Sequence, residues 1–266
     1  MDIFKIIDDF QKIDGDAAGR LEYATRRHFM NRIGSKLATV AVPTVFATIV
    51  NKAYGQSAAA VDVLNFALTL EYLEDEFYKA GNAAANLIPA SDKAIFTQIG
   101  KHESAHVAFL VKALGAAAIK KPTFDFTYGG PFADVFTNYK TFVAVSAALE
   151  DTGVRAYKGQ AGTLIADPQI LEYALQVHSV EARHAAVARR MFATVNSSAA
   201  TKGWITGKEP LIAAVQPIYD GEDNMTQGGV NLKGLMSKSD AAVTEAFDEP
   251  LTKAAVLAIA GPFIKA

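Results

Sequence analysis

Residues 100–114, "GKHESAHVAFLVKAL", have the pattern of a core-facing helix with two polar residues inside its apolar stripe. Glu103 and His106 are three residues apart, a spacing that places both on one face of a helix. A carboxylate buried on that face without a partner would destabilise the protein by several kcal/mol. The rest of the chain must therefore supply a partner for Glu103.

The same helical periodicity runs through the chain from about Asp62 onward, without the sustained alternation of a β-sheet. Asp92, or Ser91 before it, can cap the second helix, and Asp167 followed by Pro168 is a typical start for the fourth. Between the second and third helices, residues 120–134 contain two prolines and paired glycines, which indicates a long crossing loop. The pattern predicts an all-α four-helix bundle with one long crossover. The predicted helices lie at about residues 60–86, 92–115, 135–163 and 168–195.

An internal repeat relates the two halves of this predicted bundle. Each half has a glutamate on its first helix and a Glu-x-x-His pair on its second helix. The two glutamates are separated by 32 residues in the first half and by 31 in the second. Helical spacing turns all of these side chains toward the bundle centre. The six residues are Glu71, Glu103, His106, Glu150, Glu181 and His184.

The charge of this polar set predicts a metal site. Four buried glutamates would carry about four negative charges, whose repulsion and desolvation the fold could not tolerate alone. Two divalent cations would cancel that charge. The chain contains no cysteine, so the ligands must be nitrogen and oxygen atoms. Each ion can receive one terminal glutamate, one histidine and a share of two bridging carboxylates, with positions left for water, oxygen or peroxide.

At this point the sequence resembles a known family, the exported bacterial ferritin-like domain proteins related to plant desiccation-related proteins. The resemblance covers roughly residues 60–196 and, less specifically, residues 246–263, "AFDEPLTKAAVLAIAGPF". It implies a ferritin-like bundle, followed by short C-terminal helices and loops, in which two ions of iron or manganese react with oxygen or peroxide. It also implies a role in oxidative or desiccation stress protection. By this resemblance the ligands are Glu71, Glu103, His106, Glu150, Glu181 and His184.

Several assignments stay open in the sequence. Glu74 competes with Glu71 as the ligand of the first helix, but the repeat aligns Glu71 with Glu150 and Glu74 with Gly153. We therefore prefer Glu71. The acidic run at residues 74–76 is expected to include surface positions.

Two pairs of residues near the predicted ligands have two readings each. Tyr78 and Tyr157 lie seven residues after their glutamates, where they can hydrogen-bond carboxylates across the bundle or act as ordinary core tyrosines. His102 and His178 can support the ligands or lie at the surface.

The segment before the bundle carries the order of residues expected of an export signal. Residues 25–30, "TRRHFM", resemble a twin-arginine motif, preceded by an unusually long acidic leader. An uncharged run follows at residues 37–50 and small residues follow that. We predict a leader at residues 1–58, the bundle at 59–196, and loops and short helices packed on it at 197–266. The leader predicts export, with the periplasm as the destination.

The amino-acid composition limits the classes of partner that we expect for this chain. The chain has 26 basic and 28 acidic residues, a net charge of −2, and no basic stripe, so nucleic acid is not an expected partner. We expect no stable membrane span in the mature protein. The expected reactants are oxygen, peroxide or ferrous iron, and the plausible reactions are ferrous iron oxidation and peroxide removal. A compact homodimer accommodates the C-terminal residues more easily than a hollow cage does. The alternatives are a non-enzymatic stress-protective bundle stabilised by metal and a peptide- or membrane-surface-binding bundle.

Overall fold

A computed structural model describes residues 57–265, and an all-α bundle dominates this part of the chain. The predicted fold class is confirmed. The largest difference lies at the start of the third helix, where residues 135–138 form turns and Asn138 caps the helix by accepting a hydrogen bond from the amide of Lys140. The predicted export signal at residues 25–50 lies outside the described residues. The long helices are α1 (Ala58–Ala83), α2 (Lys93–Leu114), α3 (Tyr139–Gln160) and α4 (Pro168–Val195).

The residues predicted to start α2 and α4 are in place but do not form the predicted capping bonds, whereas the cap of α1 was not predicted. Ser57 caps α1, because its hydroxyl accepts a hydrogen bond from the amide of Ala60 at 3.1 Å. Asp92 and Asp167 occupy the N-cap positions of α2 and α4, yet neither side chain caps its own helix. The carboxylate of Asp167 instead accepts a 2.8 Å bond from the Ser57 hydroxyl. This bond ties the start of α4 to the start of α1.

Contacts at both ends of the helices fix their directions. The Asn65 side chain near the start of α1 donates to the carbonyl of Ala117 just after α2, and Asn82 near the end of α1 donates to the carbonyl of Phe96 near the start of α2. These two helices are therefore antiparallel. Tyr78 lies 2.7 Å from Ser146, so the end of α1 also meets the start of α3. The connection over residues 115–138 must thus run the length of the bundle, as the predicted crossover requires.

Short elements complete the described chain. Strand β1 in the crossover pairs with β4 near the C-terminus, and β2 pairs with β3 in a separate hairpin, both antiparallel. The strands are β1 (Thr123–Phe124), β2 (Thr226–Gln227), β3 (Val230–Asn231) and β4 (Ile264–Lys265). The short α-helices are α5 (Asp240–Thr244) and α6 (Lys253–Ala260), and 3-10 turns span Gly115–Ala117, Ala161–Leu164, Ala213–Ile218, Leu235–Ser237 and Gly261–Phe263.

Arg155 on the outer face of α3 attaches the C-terminal segment to the bundle. Its side chain is buried and forms a 2.7 Å ion pair with Glu222. Its backbone carbonyl accepts a 3.1 Å hydrogen bond from the amide of Leu251. One turn later, Gly159 lets the chain approach closely, because an added Cβ would overlap the Leu251 carbonyl. The guanidinium also donates to the backbone carbonyls of Ile218, Asp220 and Glu249.

The interior of the bundle differs between its two ends. The end formed by the last turns of α1 and the first turns of α2 and α3 is filled with rings, and we call it the aromatic end. Phe77 and Phe142 stack there with their centroids 4.9 Å apart, and Phe96 packs edge-on at 5.0 Å from Phe142. Gly81 is required beside them, because a Cβ would overlap the ring of Phe142. The opposite end contains a cavity, and we call it the cavity end.

Among the helices of residues 57–265, none has the combination of length and apolar character that crossing a bilayer demands.

Candidate metal centre

The six residues singled out by the repeat converge midway between the two ends of the bundle. They form two groups of four, and within each group one ligand atom from every residue lies within 4.8 Å of the others. Glu103 and Glu181 belong to both groups. All four glutamates are fully buried. The first group is Glu71, Glu103, His106 and Glu181, and the second is Glu103, Glu150, Glu181 and His184.

In the first group, the imidazole of His106 faces three carboxylates through one nitrogen atom. Its Nδ1 lies 3.1 Å from Glu71 Oε2, 3.1 Å from Glu103 Oε2 and 3.2 Å from Glu181 Oε1. These residues come from α1, α2 and α4, and helical spacing of three places His106 on the same face as Glu103. The side chain of His106 is 13% exposed, so this group is nearer to solvent than the second.

In the second group, His184 repeats the arrangement. Its Nδ1 lies 2.9 Å from Glu103 Oε1, 3.3 Å from Glu150 Oε2 and 3.9 Å from Glu181 Oε2. Glu103 and Glu181 therefore each direct one oxygen to each histidine. Glu103 and Glu181 are thus shared by the two groups, whereas Glu71 and Glu150 each belong to one group.

Unsatisfied atoms show that the donor set fits a cation. Five buried atoms of the cluster form no hydrogen bond within residues 57–265, although Nδ1 of His184 and Oε1 of Glu103 lie only 2.9 Å apart. Buried polar atoms normally have partners. Carboxylate oxygens and imidazole nitrogens are ligands of iron, manganese and zinc, and protons between these atoms satisfy them when no cation is bound. The atoms are Glu103 Oε1, Glu150 Oε2, both carboxylate oxygens of Glu181 and His184 Nδ1.

Burial and crowding change the proton affinity of the cluster. Burial and the charge of neighbouring carboxylates raise the pKa of Glu103 to about 7 and the pKa of Glu181 to about 8. Burial alone would lower the pKa of His184, but the surrounding carboxylates outweigh it and raise that pKa to about 10. The pKa of His106 rises for the same reason, with Glu71 as its strongest charge partner. Protons therefore compensate the carboxylates when no cation is bound.

Two tyrosines orient the terminal carboxylates, as one reading of the sequence predicts. Tyr157 donates its hydroxyl hydrogen to Oε1 of Glu71, and Tyr78 donates to Oε1 of Glu150. Each bond crosses from one half of the repeat to the other. The second oxygen of each carboxylate is thereby left to face a histidine. Burial and these carboxylates raise the pKa of both tyrosines well above the usual range, so both remain proton donors.

His102 supports the cluster from outside. Its Nδ1 lies 2.9 Å from Nε2 of His184, and the two rings stack with centroids 5.1 Å apart. Gln98 lies within 2.8 Å of the other His102 nitrogen. The sequence left this role open, because His102 directly precedes Glu103 and its partner is on a different helix. An outer partner of this kind fixes the orientation of a ligating imidazole.

Glu74 lies beside the cluster but outside both groups. It is buried, and burial together with Glu181 raises the pKa of its carboxyl well above the usual range. Gly153 makes room for it, because an added Cβ would lie 3.3 Å from Glu74 Oε1 and 3.5 Å from Glu181 Oε2. The geometry thus brings Glu71, the residue preferred from the repeat, into the cluster and leaves Glu74 adjacent to it.

The other open residues lie farther out. Asp75 is buried and accepts hydrogen bonds from Ser104 at 2.6 Å and Lys79 at 2.5 Å, so it is not a surface residue. Glu76 is the partly exposed member of the acidic run and pairs with Lys121. His178 is partly buried and belongs to neither group.

A family model described as a ferritin-like domain matches residues 59–194. The chain belongs to this ferritin-like family. The matched segment contains all six converging residues and ends one residue before the end of α4. The match does not include the C-terminal segment, residues 197–265, which Arg155 contacts through Glu222 and Leu251. Among curated proteins and among solved structures, nothing matches this chain.

Proposed function

We propose that this ferritin-like protein holds two divalent cations, of iron or manganese, and uses them to react with dioxygen or peroxide. The observation that carries the proposal is the sharing of Glu103 and Glu181 between two groups that each have their own histidine and terminal glutamate. One divalent cation would leave half of the negative charge of the four fully buried carboxylates uncompensated. Two divalent cations match that charge.

Each side chain has a distinct part in holding the cations. Glu103 and Glu181 would bridge, because each directs its two oxygens to different histidines. Glu71 and Glu150 would bind through Oε2, since the tyrosine hydroxyls occupy Oε1. Holding one oxygen in place prevents the terminal carboxylates from rotating away when the ions are absent. This gives the protein a preorganised set of donors.

Iron or manganese bound in this way supplies redox chemistry and open coordination positions for a small oxidant. The surrounding residues exclude bulk water, because the four glutamates are fully buried and His184 is nearly so. Oxidation of ferrous iron and removal of peroxide are the reactions proposed for the site, within protection against oxidative or desiccation stress. Export to the periplasm, predicted from the twin-arginine pattern, belongs to the same proposal and can be tested by cell fractionation.

Metal titration tests the proposal directly. The full chain would be loaded anaerobically with ferrous iron or manganese, and bound metal would be counted by elemental analysis. We expect two ions per chain. Saturation below one ion per chain would contradict the proposal. The loaded protein would then be assayed with dioxygen and with peroxide.

Variants of the proposed bridging and terminal glutamates test which ion each carboxylate binds, through the number of metal ions that each variant retains. Glu103→Ala should abolish binding of both ions, because it removes a carboxylate from both groups. Glu71→Ala should weaken one ion and spare the other. Glu76→Ala is the matched control, since Glu76 lies one and a half turns from Glu71 on the same helix and pairs with Lys121 at the surface. It should leave the stoichiometry at two.

Complete burial of the carboxylates also favours a second function, an exported stress-protective bundle in which metal serves stability alone. Neutralising buried charge stabilises the fold whether or not a reaction follows. This alternative shares the prediction of bound metal and raised thermal stability. It differs in predicting no turnover with dioxygen, peroxide or excess ferrous iron.

A further inference from the structure

The cavity end of the bundle contains a void of about 30 Å³ lined by residues of all four long helices and the turn between α3 and α4. Thirteen of its sixteen lining residues are apolar. The three with polar groups are Tyr157, Gln160 and Tyr173. The hydroxyl of Tyr157 already donates to Glu71, and that of Tyr173 accepts from Gln169 at 3.4 Å. Nearly all of the wall surface that faces the void is apolar, so the void offers little hydrogen bonding to a guest.

The void lies one helical turn from the carboxylate cluster. Ala67 lines it four residues before Glu71, and Leu110 lines it four residues after His106. Val177 lines it four residues before Glu181 on α4. Residues four apart stack along one face of a helix, so the same faces that carry the predicted ligands continue into the void. Tyr157 is the boundary between them, because its ring lines the void and its hydroxyl reaches the cluster.

Size and polarity together define the guest. A single water needs roughly 10–15 Å³ of such volume, so the void has room for one or two molecules of that size and not for a chain or a ring. Apolar walls of this kind do not retain water but do accept apolar gases. Hydrogen peroxide has two hydroxyl groups that would lose their hydrogen bonds on entry. Dioxygen is apolar and has no such hydrogen bonds to lose on entry.

We infer that this void is a binding site for dioxygen beside the cluster, which makes dioxygen rather than peroxide the oxidant that reaches the site from the cavity end. The inference rests on the proposed function for its consequence, but the binding site itself does not require metal. At the aromatic end the stacked rings of Phe77 and Phe142 occupy the corresponding space. The two faces of the cluster are therefore unequal in access to an apolar gas.

Xenon tests the binding site without any metal. The full metal-free chain would be examined under xenon pressure, by crystallography or by xenon NMR. We expect one xenon atom between Ala67 and Leu110, and its loss in Ala67→Leu and in Leu110→Phe, two variants that fill the void from different helices. Ala260→Val is the matched control, because Ala260 lines a separate cavity between the bundle and the C-terminal segment. Absence of xenon from the wild-type void, or its persistence in a folded filling variant, would overturn the inference.

Oxidant preference tests the consequence. Ferrous-loaded wild type, Ala67→Leu, Leu110→Phe and Ala260→Val would each be mixed with dioxygen or with peroxide in stopped-flow experiments. We expect the filling variants to lower the ratio of the dioxygen rate to the peroxide rate about tenfold or more, and Ala260→Val to leave it unchanged. An equal slowing by both oxidants, or no slowing, would overturn the dioxygen role.

The metal count separates this failure from failure of the proposed function. A chain that binds xenon in the void but fewer than one metal ion contradicts the proposed function, and with it the dioxygen role, while the apolar binding site stands. A chain that binds two ions but no xenon contradicts the inference and leaves the proposed function intact.

Discussion

At the aromatic end of the bundle, Phe77 and Phe142 stack at 4.9 Å and leave Gly81 no room for a side chain. At the cavity end, the small side chains of Ala67 and Ala156 line a void between the same four helices. Both ends flank one carboxylate cluster, and each contributes one tyrosine to it. Tight packing and free space are thus divided between the two ends of the bundle. The aromatic end packs tightly against one side of the cluster, and the cavity end leaves space on the other.

The largest expected effect is the dependence of stability on pH, because the buried cluster between the two ends contains the carboxylates and imidazoles whose pKa values change on folding. Glu103 and Glu181 have pKa values of about 7 and about 8, above the usual value of a glutamate, so the folded state binds their protons more tightly than the unfolded state. Stability of the metal-free protein should therefore be greatest near pH 5 and fall as the pH rises to 8. His184, with a raised pKa of about 10, extends the decline to higher pH.

Thermal unfolding between pH 5 and pH 9, with and without manganese, measures this effect. Metal binding requires deprotonated ligands, so the stabilisation by manganese should grow over the pH range in which the metal-free protein weakens. A metal-free protein that becomes more stable from pH 5 to pH 8 would show that other groups, and not the cluster, govern how its stability depends on pH.

Truncating one ring at each end compares their packing. Phe142→Ala should destabilise the protein by about 3–5 kcal/mol, because Phe142 is fully buried and touches several other rings. Phe109→Ala at the cavity end should cost less, since Phe109 is only partly buried and borders an existing void. Urea unfolding gives both values. Equal losses would mean that the two ends are packed alike.

Adding one methyl group at each end makes the reverse comparison. Gly81→Ala should destabilise by about 1–3 kcal/mol, because the new Cβ must displace the Phe142 ring, despite the better helix propensity of alanine. Gly162→Ala, in the turn Ala161–Leu164 at the cavity end, adds a methyl group that meets no atom of residues 57–265 within 4 Å. It should be neutral or stabilise by up to about 1 kcal/mol. A Gly81→Ala protein as stable as the wild type would show that the Phe142 ring can move aside without loss of packing energy.

The smallest expected effect distinguishes the two tyrosines. Tyr78→Phe removes a hydroxyl that hydrogen-bonds both Glu150 and Ser146, whereas within residues 57–265 Tyr157→Phe removes one that hydrogen-bonds Glu71 alone. We expect Tyr78→Phe to be the more destabilising by about 1 kcal/mol, one hydrogen bond. Chemical denaturation of the two variants, each beside the wild type, checks the order. A reversed order would indicate that the cavity end constrains its tyrosine more than the aromatic end does.

Much of the bundle and the composition of the cluster follow from the sequence. The helical period gave the long helices, and two Glu-x-x-His pairs at matching intervals identified the six residues that converge. Their assignment as metal ligands stays a prediction. The cross-bundle bonds of Tyr78 and Tyr157 were also within reach, because the repeat places both at the same offset from a glutamate.

The features that escaped prediction depend on distances between helices. His102 supports His184 from a different helix, and a single helix face does not reveal that approach. Glu74 competed with Glu71 for the ligand position in the sequence, and its burial beside Glu181 and Gly153, outside both groups, depends on how α1, α3 and α4 approach one another. The void at the cavity end could not be predicted, because helices that surround a void have the same apolar sequence pattern as helices that surround a filled core.

The contacts between Arg155 and the C-terminal segment limit where the chain can be truncated without destabilising the bundle. A fragment cut to residues 59–194 would keep the whole cluster but lose Glu222 and the carbonyl groups that solvate the guanidinium. It would also bare the strip of α3 at Gly159 that is shaped to receive a neighbouring backbone. We therefore expect the smallest fragment that folds on its own to extend past the last helix of the bundle and to include Glu222 and Leu251.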